Sequence, residues 1–118
     1  MAMSNSSVLV ACLCAEWCGV CRDYHAAFEQ VRARFPAAQF MWVDVEDQSD
    51  LVDPVEVDNF PTLLIAAGDE PRFLGTITPQ AGTLERLVRE RIAQAAPLAD
   101  PQALALVRRL RGAAFADR

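Results

Sequence analysis

A chain of 118 residues, 53% hydrophobic, 23% charged and 8% aromatic, holds enough apolar residues for one folded domain and is neither disordered nor fibrous. Eleven basic residues against sixteen acidic ones leave a net charge of -5, which excludes the basic stripe that a nucleic-acid or anionic-membrane surface needs. No nucleic-acid or membrane partner is therefore expected, and the absence of lysine among the basic residues reads as a coding bias.

The opening MAMSNSS, residues 1–7, has no basic n-region, and the apolar run VLVACLCA ends at residue 15. That run is too short to span a bilayer and lacks the flanks of a signal peptide, so a cytoplasmic location is expected. There a C-x-x-C pair is more often catalytic or metal-binding than structural. SVLVACLC is rich in Val, Leu and Cys without helical period, and predicts a first strand buried on both faces. From Cys18 the pattern changes. Cys21, Tyr24, Phe28, Val31 and Phe35 recur at three- and four-residue steps with charges on the other faces, which predicts an amphipathic helix ended by Pro36.

AQFMWVDV predicts a second buried strand, followed by an acidic crossover from Asp44 to Asp58 that carries seven carboxylates and Pro54. Such a run reads as a solvated face, with attraction of basic partners as the sharper alternative. FPTLLIAAG predicts a strand opened by a proline, GDEP a turn, and RFLGTI a further strand. Thr78 and Pro79 give the cap and first-turn signal of a helix through Leu84, Leu87, Val88 and Ile92. After Pro97, Asp100 and Pro101 repeat that signal for a last helix expected to stop at Gly112. Arg108, Arg109 and Arg111 would then lie in its final turn, complementing the helix dipole.

Cys12, Cys14, Cys18 and Cys21 are the four cysteines. A thiol reacts as thiolate, and a helix N-terminus favours thiolate, so Cys18 sits where activation is easiest, while Cys21 lies one turn deeper on the same face. This division gives Cys18 the attacking and Cys21 the resolving role. Zinc is the metal alternative, but the spacing C-x-C-x3-C-x2-C is unlike separated knuckles, and strand cysteines facing a core are not expected to turn toward a helix start. No metal and no cofactor are expected. His25 reads as a packed or capping side chain more readily than as a catalytic base.

VLVACLCAEWCGVC, NFPTLLI and FLGT, in that order, resemble the thioredoxin superfamily over about residues 8 to 95. The resemblance implies an α/β, thioredoxin-like fold. It consists of a central mixed sheet of about four strands flanked by helices, with residues 8–96 as the domain, 1–7 as a short extension and 97–118 as an extra helical extension. It also implies that Phe60–Pro61 is a cis peptide and that Trp17, Gly19, Val20, Phe60, Pro61 and Gly75 line a substrate groove beside Cys18.

Relative to the family pattern, only seven residues precede Val8, so a first strand and helix are expected to be missing. The last helix could cover the resulting edge, a second chain could, or the helix could be a solvated appendix. Cys12 occupies the place where the family buries an acid, and Trp42 that of a nearby lysine. A buried thiol is a poor base near neutrality, and Val20 replaces the usual proline between the cysteines. Cys12 and Cys14 share a strand face with Cα atoms about 6.6 Å apart and are not expected to bridge each other. Each reads as core filler, with an alternative Cys12–Cys21 disulfide under oxidation as the sharper reading for Cys12.

The function implied is a thiol-disulfide oxidoreductase that acts on protein disulfides through Cys18 and Cys21, fed by an upstream donor of the thioredoxin reductase type. The alternative is a redox-inactive or weakly active binding module on the same fold.

Overall fold

The computed structural model describes residues 8–15, 19–53, 55, 57, 59–93 and 98–116. In chain order these form β1 (Val8–Cys14), α1 (Gly19–Arg32), β2 (Gln39–Asp44), α2 (Ser49–Val52), β3 (Thr62–Ala67), β4 (Glu70–Thr76), α3 (Ala81–Ala93) and α4 (Pro101–Ala116). The sheet order is β2-β1-β3-β4, with β1 parallel to β2 and antiparallel to β3, and β3 antiparallel to β4. The expected mixed four-stranded sheet flanked by helices, including a C-terminal one, is present. No helix among the described residues is long and apolar enough to cross a membrane.

β1 lacks an alternating pattern because both of its faces are covered, as its composition predicts. Val8, Val10, Cys12 and Cys14 enter a core built with α1 and α3, whereas Leu9, Ala11 and Leu13 enter a second core built with α2 and α4. The outer strands divide in the same way. Phe40 and Phe73 pack with the first core, Val43 and Leu74 with the second.

α1 presents Cys21, Tyr24, Phe28 and Val31 to the first core. The Phe28 ring lies edge-on to Phe40 and Trp42 at 5.3 and 5.4 Å between centroids. The helix ends in a tightened turn, Arg34 N–H to Val31 O and Phe35 N–H to Arg32 O, just ahead of Pro36. Within this core the Cys12 thiol is fully buried, and that burial pushes its pKa well above the ordinary value. Tyr24 is raised by burial and then by the proximity of Cys12, and its hydroxyl has no hydrogen-bond partner among the described residues.

Three boundaries differ from the sequence reading. The β3–β4 turn is the pair Gly68–Asp69 alone, with Gly68 at φ 62°, the positive value that a tight hairpin asks of its first loop residue. Glu70 and Pro71 belong to β4. Proline is tolerated there because β4 is an edge strand, and Arg72 is the extra residue where the register shifts between Ile65 and Ala66. α3 starts at Ala81 rather than Pro79. Thr78 bonds Thr83 through the side-chain oxygens at 3.2 Å, and Gln80 supplies the carbonyl for Leu84 N–H.

α4 is the largest correction. It is neither a solvated appendix nor an edge cover, because Ala103, Leu106, Val107 and Leu110 are fully buried against one face of the sheet. Asp100 caps it as expected, its carboxylate accepting Gln102 and Ala103 N–H at 3.0 and 3.4 Å. Gly112 does not stop the helix, since the residues beyond it, Ala113 and Ala114, are strong helix formers and the cost of an interior glycine is only about 1 kcal/mol. Two of the three arginines serve other elements. Arg109 donates to Leu51 O and Val52 O, the last carbonyls of α2, while Arg111 donates to Gly68 O and Gln39 Oε1. Leu98 N–H, just before α4, donates to Pro71 O of the β4 strand at 2.7 Å.

Replacement of Leu106 by Ala is expected to lower unfolding free energy by about 2 to 5 kcal/mol in urea titration, because a fully buried leucine is exchanged for a cavity. The buried Cys12 thiol sets a second expectation. Its folded pKa lies above its unfolded one, so the native state keeps a proton that the unfolded chain releases, and stability is lost as pH rises above about 9. Cys12→Ala is expected to reduce the slope of unfolding free energy against pH there by about 1.4 kcal/mol per pH unit, measured by denaturant titration from pH 8 to about 11.

Candidate active site

The parallel pairing of β1 with β2 and the antiparallel pairing of β3 bring several chain ends together at one end of the sheet. Cys14 closes β1 and pairs with Asp44, the last residue of β2; Leu13 pairs with Thr62, the first residue of β3; Thr62 pairs with Thr76, the last residue of β4. Two hydrogen bonds fasten these exits, Val45 N–H to Cys14 O at 2.8 Å and Ile77 N–H to Pro61 O at 3.1 Å. α1 begins at the same end, since only the connection of residues 15–18 separates it from Cys14.

Cys21, in the first turn of α1, is joined to Cys14 by a disulfide with Cα atoms 5.8 Å apart. Both residues are buried, at 1% and 0% exposure. The sulfur bonded to Cys21 is thus that of Cys14, and neither the Cys18 pairing nor the Cys12–Cys21 bond is present. Cys12 and Cys14 do share a face, as their spacing predicts, but Cys12 is set one pleat further back from the end of β1. It remains a free, buried thiol that donates to Cys14 Sγ at 3.8 Å. The idea that a strand cysteine cannot turn toward the helix start is corrected by the same geometry, and so is the reading of Cys14 as core filler. The last inward side chain of β1 and the first inward one of α1 thus come within bonding distance.

Each sulfur of the disulfide has a donor. Ala15 N–H points to Cys21 Sγ at 3.4 Å, and the Cys12 thiol points to Cys14 Sγ. No carboxylate occupies the place of Cys12, whose burial keeps it protonated.

Of the residues expected to form the groove, Phe60–Pro61 is a cis peptide, Pro61 is buried and Phe60 is half-buried against the first core. Thr62, which follows, is fixed by its hydroxyl donating to Asn59 O at 2.6 Å. Gly75 lies in β4 opposite Leu63, and a Cβ there would come 3.3 Å from Phe73 Cζ, so the ring would have to give way. Gly19 and Val20 are exposed at the start of α1, Val20 at 44%. Trp17 and Cys18 lie outside the described residues.

The sequence reading missed a pocket of 480 Å³ beside the disulfide, lined by Cys21, Arg22, His25, Trp42, Asp44 and Gln48 among others. His25 sets its ring on the edge of Trp42 at 4.7 Å and lies 3.9 Å from Glu29, with its side chain 52% exposed. Asp44 is occupied in a turn, its Oδ1 accepting Glu46 and Asp47 N–H at 2.9 and 3.1 Å. The other described carboxylates of the acidic run, Glu46, Asp47, Asp50 and Asp53, are exposed, which is the solvated face expected of them.

Comparison with known proteins agrees with this geometry. The family described as Thioredoxin matches residues 1–89. A thioredoxin H-type protein of Oryza sativa subsp. indica is 32% identical over 63 residues, 53% of this chain and 52% of its own length. Thioredoxin-1 of Saccharomyces cerevisiae is 31% identical over 64 residues, 54% of this chain and 62% of its own. The chain spans about half the length of the rice relatives it matches. The crystal structure of a thioredoxin from Trypanosoma brucei brucei superposes with a TM-score of 0.66 at 29% identity, over 78% of this chain and 80% of that one. The matched residues include both strands that flank the disulfide, the helix that carries Cys21 and the cis-proline segment, and the chain belongs to the thioredoxin family, a family of thiol-disulfide oxidoreductases.

Proposed function

We propose that the protein reduces or exchanges disulfides of other proteins, with Cys18 as nucleophile and Cys21 as resolving cysteine. The observation that carries this reading is the placement of Cys21 in the first turn of α1, in a chain of the thioredoxin family with a cis Phe60–Pro61 peptide ahead of β3. Cys18 immediately precedes α1, whose unpaired N–H groups and dipole favour a thiolate there. That thiolate attacks a substrate sulfur and expels the other as thiolate. Cys21 then gives up its proton and attacks Cys18, releasing the substrate dithiol and leaving an enzyme disulfide.

The groove for the substrate chain is assigned to Trp17, Gly19, Val20, Phe60, Pro61 and Gly75. With Cys12 protonated, the proton of Cys21 leaves by the pocket it lines rather than to a buried base. No cofactor enters this scheme, an upstream reductase of the thioredoxin reductase type would restore the dithiol, and the cytoplasm is its proposed location. The bond that ties Cys21 to Cys14 supports a second reading, a weakly active or inactive binding module, because in that state Cys21 cannot resolve.

Cys21→Ala separates the two. An oxidoreductase is expected to accumulate mixed disulfides on Cys18 that dithiothreitol releases, and the wild-type protein to reduce insulin faster than dithiothreitol alone. No trapped species together with an uncatalysed insulin rate would leave only the binding module.

A further inference from the structure

We propose that Cys14 is a third redox-active cysteine, which takes over the disulfide from Cys18–Cys21 and stores it as Cys14–Cys21 with Cys18 set free. The proposal rests on the oxidoreductase reading above and adds one step to it. After the substrate has been reduced, Cys14 loses its proton and its sulfur attacks Cys21 Sγ. The Cys18–Cys21 bond breaks, Cys18 leaves as thiolate, and the proton released by Cys14 passes to solvent or to that thiolate. One disulfide is lost and one gained, so the step needs no oxidant or reductant.

Three observations support it. Cys14 and Cys21 lie with Cα atoms 5.8 Å apart, within the range a disulfide spans without backbone movement. The two sulfurs each have a donor, Ala15 N–H for Cys21 and the Cys12 thiol for Cys14, which steadies negative charge on either one when their bond opens or forms. The exchange is also directed. Cys18 precedes in sequence the helix that begins at Gly19, a helix N-terminus stabilises a thiolate, and a lower-pKa thiol leaves faster. The disulfide formed is buried, at 0% and 1% exposure, where thiols from solution reach it poorly.

The relay ends at Cys14. Cys12 is 3.8 Å from the Cys14 sulfur, but burial holds it in the thiol form, and two cysteines at alternate positions of one strand are poorly placed to bridge. The oxidised protein therefore has a different chemical surface from that of a two-cysteine enzyme. Its nucleophile is free and its resolving partner is withdrawn. It can capture a second disulfide but cannot release it unaided.

The sequence offers a direct test, because Glu16 separates Cys12 and Cys14 from Cys18 and Cys21, and the next glutamate is Glu29. The reduced full chain is titrated with one equivalent of dipyridyl disulfide, quenched in acid, alkylated and cleaved by a glutamate-specific protease. Release of two pyridinethiones per chain, lost in Cys18→Ser, reports the underlying Cys18/Cys21 chemistry; its absence would overturn the oxidoreductase reading and this proposal with it.

Given that release, the proposal expects peptides 1–16 and 17–29 joined by a disulfide, with Cys18 alkylated and with fragmentation across Leu13 placing the link at Cys14. The linked species is expected to vanish in Cys14→Ser and to persist in Cys12→Ser. Recovery of an internal Cys18–Cys21 bond in peptide 17–29, with Cys12 and Cys14 both alkylated, would overturn the proposal while leaving the oxidoreductase reading intact. A link that maps to Cys12 would overturn it equally. The wild-type map decides the matter even where a serine variant does not fold.

Discussion

The structure depends on β1 serving two cores at once. Because side chains alternate across a strand, even-numbered residues from Val8 to Cys14 face α1 and α3, and odd-numbered ones face α2 and α4. A slip of one residue would turn both strand cysteines away from α1 and bring one leucine and one alanine into their places. That register is held by a strand on each side, β2 and β3, and by the Val45 N–H to Cys14 O hydrogen bond at the end of β1. The sulfur chemistry of the protein is thus a consequence of strand parity, fixed by burial of apolar side chains on the two faces.

The parts of the fold legible in the sequence are those whose apolar pattern matches their burial, one-sided in a helix or unbroken in a strand covered on both faces. α1 could be read from the spacing of Cys21, Tyr24, Phe28 and Val31, and β1 from an unbroken apolar run. α4 was legible as a helix but not in its role. Arginines beside a glycine look the same whether they neutralise their own helix end or reach the carbonyls of another helix, as Arg109 does at Leu51 and Val52. The start of α3 was misjudged for a related reason. Thr78 has the chemistry of a cap, but its hydroxyl found Thr83 instead.

The site was legible in its residue types and less so in its pairing. Parity placed Cys12 and Cys14 on the correct face, yet said nothing about how far each lies from the end of the strand. What matters there is where α1 begins relative to the end of β1, which is a tertiary fact. The likeness of Cys12 to a buried acid by position drew attention to it, whereas the sulfur that reaches Cys21 belongs to the neighbour nearer the strand end. A cluster in which every donor is a backbone amide or a thiol also has a different electrostatic character from one built on a carboxylate. It carries no fixed charge, so its polarity changes only as bonds between sulfurs form and open.

The placement of α4 has a consequence for how the protein comes into being. Leu9, Ala11 and Leu13 leave the ribosome well before Leu106, Val107 and Leu110, which cover them. Until α4 is made, the face of the sheet that carries Leu9, Ala11 and Leu13 stays wet, an apolar surface open to chaperones or to a neighbouring nascent chain. The order of translation therefore supplies α3, which covers the cysteine-bearing face, before α4, which covers the other.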